Sequence, residues 1–154
     1  MSDCELDIRL SDHGFDPYRE TEAFRQRAGD IGAMASFIGY VRGEDGAVTE
    51  LTLEHFPGFT EKRLADLCAG SVVSFAIRGL MVVHRVGAMK PGDPVVLVAA
   101  ASAHRADALG AVECVMDILK TDAPLWKKET GPDGARWIEP RASDHDARKR
   151  WATE

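Results

Sequence analysis

Apolar residues along the chain keep two rhythms, one of two and one near three and a half, and their switches divide it into elements. Leu6, Ile8 and Leu10 alternate with polar neighbours, which predicts a strand over Cys4 to Leu10. Asp16-Pro17 reads as an N-cap followed by proline at the first helical position, opening a helix to about Ala28 that Gly29 and Asp30 stop. Ile31 to Val41, rich in small and β-branched residues, predicts a buried strand, and Gly43 to Gly46 a turn or mobile loop. Val48 to His55 alternates again through Leu51 and Leu53 and is expected to pair with the strand before it. Thr60 and Glu61 open a second helix carrying Leu64, Leu67, Cys68, Val72 and Phe75, with Gly70 as an interruption.

Two further apolar runs, Gly79 to Val86 and Pro94 to Ala101, are joined by the turn signal Met89-Lys90-Pro91-Gly92-Asp93. The longest helix is predicted over His104 to Lys120, with Ser102 as N-cap and Leu109, Val112, Met116 and Leu119 as its apolar stripe. Pro124 prevents its continuation. Trp126 to Thr130 and Ala135 to Glu139 flank Gly131-Pro132-Asp133-Gly134 and predict a C-terminal β-hairpin. Strands and helices that do not alternate regularly indicate an α+β fold with a mixed, mainly antiparallel sheet. No internal repeat or low-complexity tract interrupts it, so residues 1–154 read as a single domain.

Composition narrows the possible roles. A chain of 154 residues can bury a core without disulfides or metals. Met1 to Leu10 carries acidic residues and no apolar run, unlike a signal peptide. No stretch approaches the roughly 20 apolar residues that cross a bilayer. The cysteines Cys4, Cys68 and Cys114 are odd in number and widely spaced, which suits a reducing compartment and makes cytoplasm the expected location. Cys68 and Cys114 sit in helical apolar patterns, where cysteine serves as a small buried hydrophobe. A formal net charge of −6 disfavours nucleic-acid binding. Basic residues nonetheless collect toward the C-terminus: Arg105, Lys120, Lys127, Lys128, Arg136, Arg141 and Arg148 to Arg150. They form either a solvated face or a pocket for a small anion.

Several clusters could carry chemistry. Ser102-Ala103-His104-Arg105 lies where a strand passes into a helix, and free N–H groups there favour phosphate or carboxylate. An exposed helix start would look the same. Lys120 ends that helix, and Lys127 stands beyond the proline turn beside Trp126. A lysine near other cations, or in a partly apolar pocket, has a depressed pKa that frees its amine as nucleophile or base. A lysine at a helix C-terminus is also favoured by the dipole alone. Arg42 borders the Gly43 to Gly46 loop and Arg141 lies just past the last strand, so each is a candidate anion contact or ordinary surface. His13, His55, His84 and His145 show no metal-ligand spacing, and no metal or cofactor is expected.

Taken in order, these segments resemble one family. Phe37-Ile38-Gly39-Tyr40-Val41-Arg42 and Leu53-Glu54-His55-Phe56-Pro57-Gly58 are similar to the first half of the molybdopterin synthase large, catalytic subunit. His84-Arg85-Val86-Gly87, Pro91-Gly92-Asp93 and Ser102-Ala103-His104-Arg105 continue the likeness. Lys120-Thr121-Asp122-Ala123-Pro124-Leu125-Trp126-Lys127-Lys128-Glu129 and Arg136-Trp137-Ile138-Glu139 complete it. The similarity spans roughly Gly32 to Trp151. A shorter loop over Gly43 to Val48, Phe56 where tyrosine is common, and Pro140 before Arg141 depart from the pattern.

The resemblance implies an α+β fold containing an α/β hammerhead. It implies an enzyme that takes sulfur from the thiocarboxylated C-terminus of a small ubiquitin-like subunit and delivers it to cyclic pyranopterin monophosphate, forming the dithiolene of molybdopterin. The assembly it implies is a dimer of large subunits with a small subunit at each end. Lys120 then matches the key catalytic lysine and Lys127 a second active-site lysine. His104 and Arg105 match an anion-binding pair, and Arg42 and Arg141 match arginines of the substrate pocket, with Arg141 expected from across the dimer interface. The same pocket without turnover would make a binding module for a phosphorylated pterin or a partner's tail.

Overall fold

The computed structural model describes residues 4–152; of the N-terminal stretch Met1 to Leu10, the first three residues lie outside them. Its strands form two four-stranded sheets. The first has the order β1 (Glu5–Ser11), β4 (Ile77–Arg85), β6 (Pro94–Ser102), β2 (Ala33–Tyr40); only the β1–β4 pair is parallel. The second is antiparallel throughout, in the order β5 (Gly87–Met89), β3 (Glu50–His55), β7 (Leu125–Gly131), β8 (Gly134–Ile138).

Burial on both faces explains the continuous apolar runs of β4 and β6. Leu80 and Val82 of β4, with Val96, Val98 and Ala100 of β6, turn toward α2 (Phe59–Ser71) and α3 (Arg105–Thr121), meeting Leu64, Cys68, Ala111 and Val115. The alternate residues Met81, Val83, Leu97, Ala99 and Ala101 pack on Phe24 of α1 (Pro17–Arg27). A smaller cluster of Val41, Leu53, Met89 and Val95 joins the sheets at their shared corner.

Local signals account for most boundaries. The Asp16 carboxylate accepts the N–H groups of Tyr18 at 3.0 Å and Arg19 at 3.3 Å, and Gly29 takes φ 76° just past α1. Gly110 lies inside α3 because the Phe75 ring approaches to 2.6 Å from where a Cβ would stand. The β7–β8 hairpin turns through Pro132-Asp133, with Gly131 paired to Gly134.

Four expectations need correction. β3 does not pair with β2: it joins β5 and β7 in the second sheet, because the turn after β4 contains β5, which peels away at Gly87 (φ 85°) and carries the chain to β3. β2 is an edge strand, with Phe37 43% and Tyr40 47% exposed in the single chain, so it is not buried. Ser102 does not cap α3; His104 holds that position, while the buried Ser102 hydroxyl donates to the His104 carbonyl. Leu109 points outward, and the core face of α3 runs instead through Ala108, Ala111, Val112, Val115, Ile118 and Leu119. A fourth α-helix, α4 (Ala142–Lys149), adds to the elements expected from periodicity. Among the described residues no helix is long and apolar enough to cross a membrane.

Phe24 is fully buried, and its ring lies 3.0 Å from the position a Cβ would take on Gly79. Phe24→Ala should therefore cost about 3–5 kcal/mol, seen as a lower urea midpoint at unchanged slope.

Candidate functional site

The end of α3 and the start of β7 build the centre of the site. Lys120 occupies the last helical turn, where unpaired carbonyls favour a cation. The chain then leaves the helix through Asp122, whose N–H donates to the Ile118 carbonyl at 2.8 Å. Buried Thr60, near the start of α2, anchors the segment between α3 and β7. Its hydroxyl accepts the Phe56 N–H at 2.8 Å and donates to the Pro124 carbonyl at 3.1 Å. β7 begins at the next residue, which sets Lys127 opposite Leu53 on one side and Ile138 on the other.

Lys120 and Lys127 stand where two concavities meet. A recess of about 130 Å³ is walled by Phe37, Leu51, Val95, Val96, Met116 and Leu119. It opens past Tyr40, His84 and the two lysines into a cleft of about 870 Å³. Arg42 and Arg141 line that outer cleft, along with Glu44, Glu129, Glu139 and Asp144. Arg42, just beyond β2, is exposed and reaches Glu44 only at 3.5 Å, a weak surface pair. Arg141 is the N-cap of α4, and its backbone N–H donates to the Asp144 carboxylate at 2.9 Å.

Four of the six residues singled out in the sequence thus surround one cleft of one chain: Lys120, Lys127, Arg42 and Arg141. Arg141 lines the cleft of its own chain. His104 and Arg105 stay away. They lie exposed at the opposite end of α3, which at about 1.5 Å per residue puts Arg105 roughly 22 Å along the axis from Lys120. The basic run at the C-terminus is also elsewhere. Arg148 pairs with Asp122 at 3.0 Å, and Arg150 with Glu113 at 3.0 Å and Asp117 at 2.9 Å, which straps α4 to α3. These pairs hold the fold rather than a ligand.

His84 enters the sequence reading through the resemblance of its segment and as a histidine without metal-ligand spacing, with no role in the site, yet it lies inside it. It ends the apolar strand β4, is 5% exposed, and lines both concavities. The signal that could have found it is a lone titratable group in a run otherwise buried on both faces. Phe37, Tyr40 and Met116, also missed as site residues, line the recess.

The site is electrostatically tense. Burial, and then the neighbouring Lys120 through its charge and a side-chain hydrogen bond, push Lys127 down to about 8; Asp144 and Glu129 oppose this. Burial pushes His84 down to about 4, with the charges of Lys127 and Lys120 adding to it and the bond to Arg85 opposing. The imidazole is therefore neutral at physiological pH, and Lys127 can release a proton there. Cys68 and Cys114, by contrast, are buried thiols pushed up to about 12 and about 11, chiefly by desolvation, and remain unreactive.

Known proteins place this arrangement. The family model described as MoaE protein matches residues 10–122. The chain belongs to the MoaE protein family. A curated member from Caulobacter vibrioides, named molybdopterin synthase catalytic subunit, is 45% identical over 147 residues, covering 96% of this chain and 98% of its own. The solved molybdopterin biosynthesis MoaE protein of Burkholderia ambifaria is 44% identical and superposes with a TM-score of 0.80, covering 97% of this chain and 99% of that one. A molybdopterin synthase structure from Staphylococcus aureus matches at 30% identity and a TM-score of 0.71, over 90% of this chain and 98% of that one. The family membership agrees with the resemblance carried by the lysine and histidine–arginine segments.

If Lys120 depresses Lys127, removing its charge must raise Lys127. Heteronuclear NMR titration of labelled lysines should place Lys127 near pH 8 in the native protein. In Lys120→Met the midpoint should move upward, toward the ordinary lysine range; an unmoved midpoint would assign the depression to burial alone.

Proposed function

We propose that this chain is the catalytic subunit of a molybdopterin synthase. It moves sulfur from the thiocarboxylated C-terminus of a small ubiquitin-like subunit to cyclic pyranopterin monophosphate, forming the dithiolene of molybdopterin. The observation that carries this reading is the convergence of Lys120 and Lys127 at the boundary between an apolar recess and an open cleft edged by arginines. Anionic reactants arrive at a cationic edge, where Lys120 is exposed and Lys127 half-buried beside the apolar recess.

Each group takes a role that its setting permits. Lys127, down to about 8, is roughly one-tenth free amine at pH 7, enough to accept and return protons during turnover. Lys120 assists acyl and sulfur transfer. Once the thiocarboxylate sulfur has bonded to the pterin, water adds to the acyl carbon. The charge of Lys120 lies beside the oxyanion that forms and then collapses as the acyl carbon–sulfur bond breaks to leave a carboxylate on the partner. Arg42 and Arg141 hold the phosphate of the pterin at the cleft rim. The sulfur arrives on the partner, so the buried cysteines have no part. We assign the protein to the cytoplasm, which suits its three free cysteines, and read residues 1–154 as one catalytic-subunit domain.

His104 and Arg105 enter through a second copy. β2 is a sheet edge with exposed Phe37 and Tyr40, and unpaired edges with apolar side chains favour self-pairing. A two-fold axis would set β2 antiparallel to the second copy's β2. His104 lies beside the start of β2, where Gly32 N–H bonds the Ser102 carbonyl at 3.0 Å, while Tyr40 at its end lines the cleft. Antiparallel pairing therefore brings His104 and Arg105 of one copy toward the cleft of the other. Eight strand residues span about 26 Å, comparable to the roughly 22 Å along α3.

The test mixes the protein with a thiocarboxylated small subunit and cyclic pyranopterin monophosphate and measures dithiolene product by mass spectrometry. Native protein should form product, and Lys120→Ala should lose at least about 100-fold in rate. Binding of both reactants without product from native protein would identify a binding module instead. Sharing of sites has its own test. Lys120→Ala and His104→Ala proteins, each nearly inactive, should recover about a quarter of native activity when mixed and allowed to exchange, since half the dimers would then hold one intact site. No recovery would put His104 in the site of its own chain or outside the chemistry.

A further inference from the structure

His84 is a buried imidazole with one nitrogen committed and the other free. Its Nδ1 lies 2.9 Å from the carbonyl oxygen of Arg85. A carbonyl only accepts, so in the neutral ring Nδ1 carries the hydrogen and donates it. Nε2 is then left with a lone pair and no hydrogen. Among the described residues the only sealed side-chain nitrogen or oxygen without a partner is Nε of Arg85. Nε2 of His84 is thus not closed off in the core. It opens on the concavities that the ring lines together with Lys120 and Lys127.

The charges acting on the ring are both positive: Lys127 from β7 and Lys120 from the end of α3. The carboxylates of Glu129 and Asp144 act on Lys127 instead. A neutral acceptor that cannot readily take a proton, opening on the same concavities as two lysine amines, has one evident use. The geometry points to His84 as a positioning residue of the sulfur transfer, whose Nε2 accepts an N–H from the lysine pair and holds the amines in the orientation that faces the incoming thiocarboxylate.

This role rests on the sulfur-transfer reading above and deepens it. A bare apolar wall would let two flexible lysine side chains splay apart under their mutual repulsion. An acceptor fixed by the strand gives at least one of them a single place to be, which reduces the disorder the reaction would otherwise have to remove. The strand end supplies that rigidity: Val82 and Val83, just before His84, are completely buried.

Two substitutions separate the free nitrogen from the committed one. His84→Asn keeps a donor for the Arg85 carbonyl but places no atom where Nε2 stood. His84→Gln extends an acceptor to that place. In single-turnover assays of the assembled enzyme, His84→Asn should be slower by about tenfold, and His84→Gln should stay within about threefold of native. The Lys127 titration midpoint should shift in the asparagine variant and return toward native in the glutamine variant. An asparagine variant as fast as native, or two variants equally slow, would overturn the role. A measurement on the native protein needs no variant to fold: nitrogen-15 NMR of His84 should show a protonated Nδ1 and an unprotonated Nε2. The opposite tautomer would refute the proposal directly. Absence of product from native enzyme would remove the sulfur-transfer reading and this role with it. Normal native turnover with an indifferent asparagine variant would remove only the role.

Discussion

Burying β4 and β6 on both faces is the constraint from which the site derives. A strand pair enclosed by α1 on one side and α2 and α3 on the other can hold almost nothing polar along its length. Chemistry is expelled to the strand ends. His84 and Arg85 close β4, and Ser102 closes β6, each among the few buried polar side chains of the described residues. At the β4 end the chain turns at Gly87 into the second sheet, and β5 carries Met89 into the small cluster that locks the sheets together. The recess is the gap left at that corner between β2 and β6 of the first sheet, β3 and β7 of the second, and the end of α3. The lysines are delivered to the gap by two of the elements that border it, α3 and β7.

Placing two lysines and a histidine at one corner has a stability consequence with a definite sign. Lys127 titrates lower in the folded chain than in the unfolded one, so between about pH 8 and the ordinary lysine range the unfolded state binds more protons. Stability associated with this group therefore rises with pH across that window, and below it the buried ammonium is a cost. Asp144 and Glu129 offset part of that cost without pairing fully with the amine. A complete ion pair would stabilise the fold further and return the lysine to its ordinary, permanently charged state. The partial compensation is what leaves Lys127 both tolerable and reactive.

Elements stabilised by local periodicity are legible in the amino-acid sequence itself. α1 has its Asp-Pro start and Gly29 stop, the β7–β8 hairpin its Gly-Pro-Asp-Gly turn, and α3 its apolar spacing. The features that escape such a reading depend on long-range pairing. The alternation of β3 marks a strand with one buried face but not which neighbour covers it, and its true partner β7 lies some seventy residues later in the chain. β2 reads as buried because its residues are apolar, and apolar residues at a sheet edge are written in the same letters as those at its centre. The lysines are legible as chemistry through their segment, whereas His84 is not, since a single histidine in an apolar run acquires meaning only from the groups that the fold sets beside it.

The helix α4 shows the same limit from another side. Its sequence, ASDHDARK, has no apolar stripe to announce it, and it contains no fully buried residue. Its attachment comes from ions and one aromatic edge. Arg148 and Arg150 reach acidic residues of α3 and its C-cap, Trp151 donates its indole N–H to Asp117 at 2.6 Å, and its ring meets Phe75 edge-on at 5.9 Å. Half-exposed pairs of this kind contribute little singly, but several sharing one short helix restrict its orientation. The helix N-terminus then carries Arg141 and Asp144 to the cleft wall at a set distance from Lys127. The basic run that suggests an anion pocket is accordingly divided in function. Arg141 faces the cleft, and the arginines beyond it keep it there.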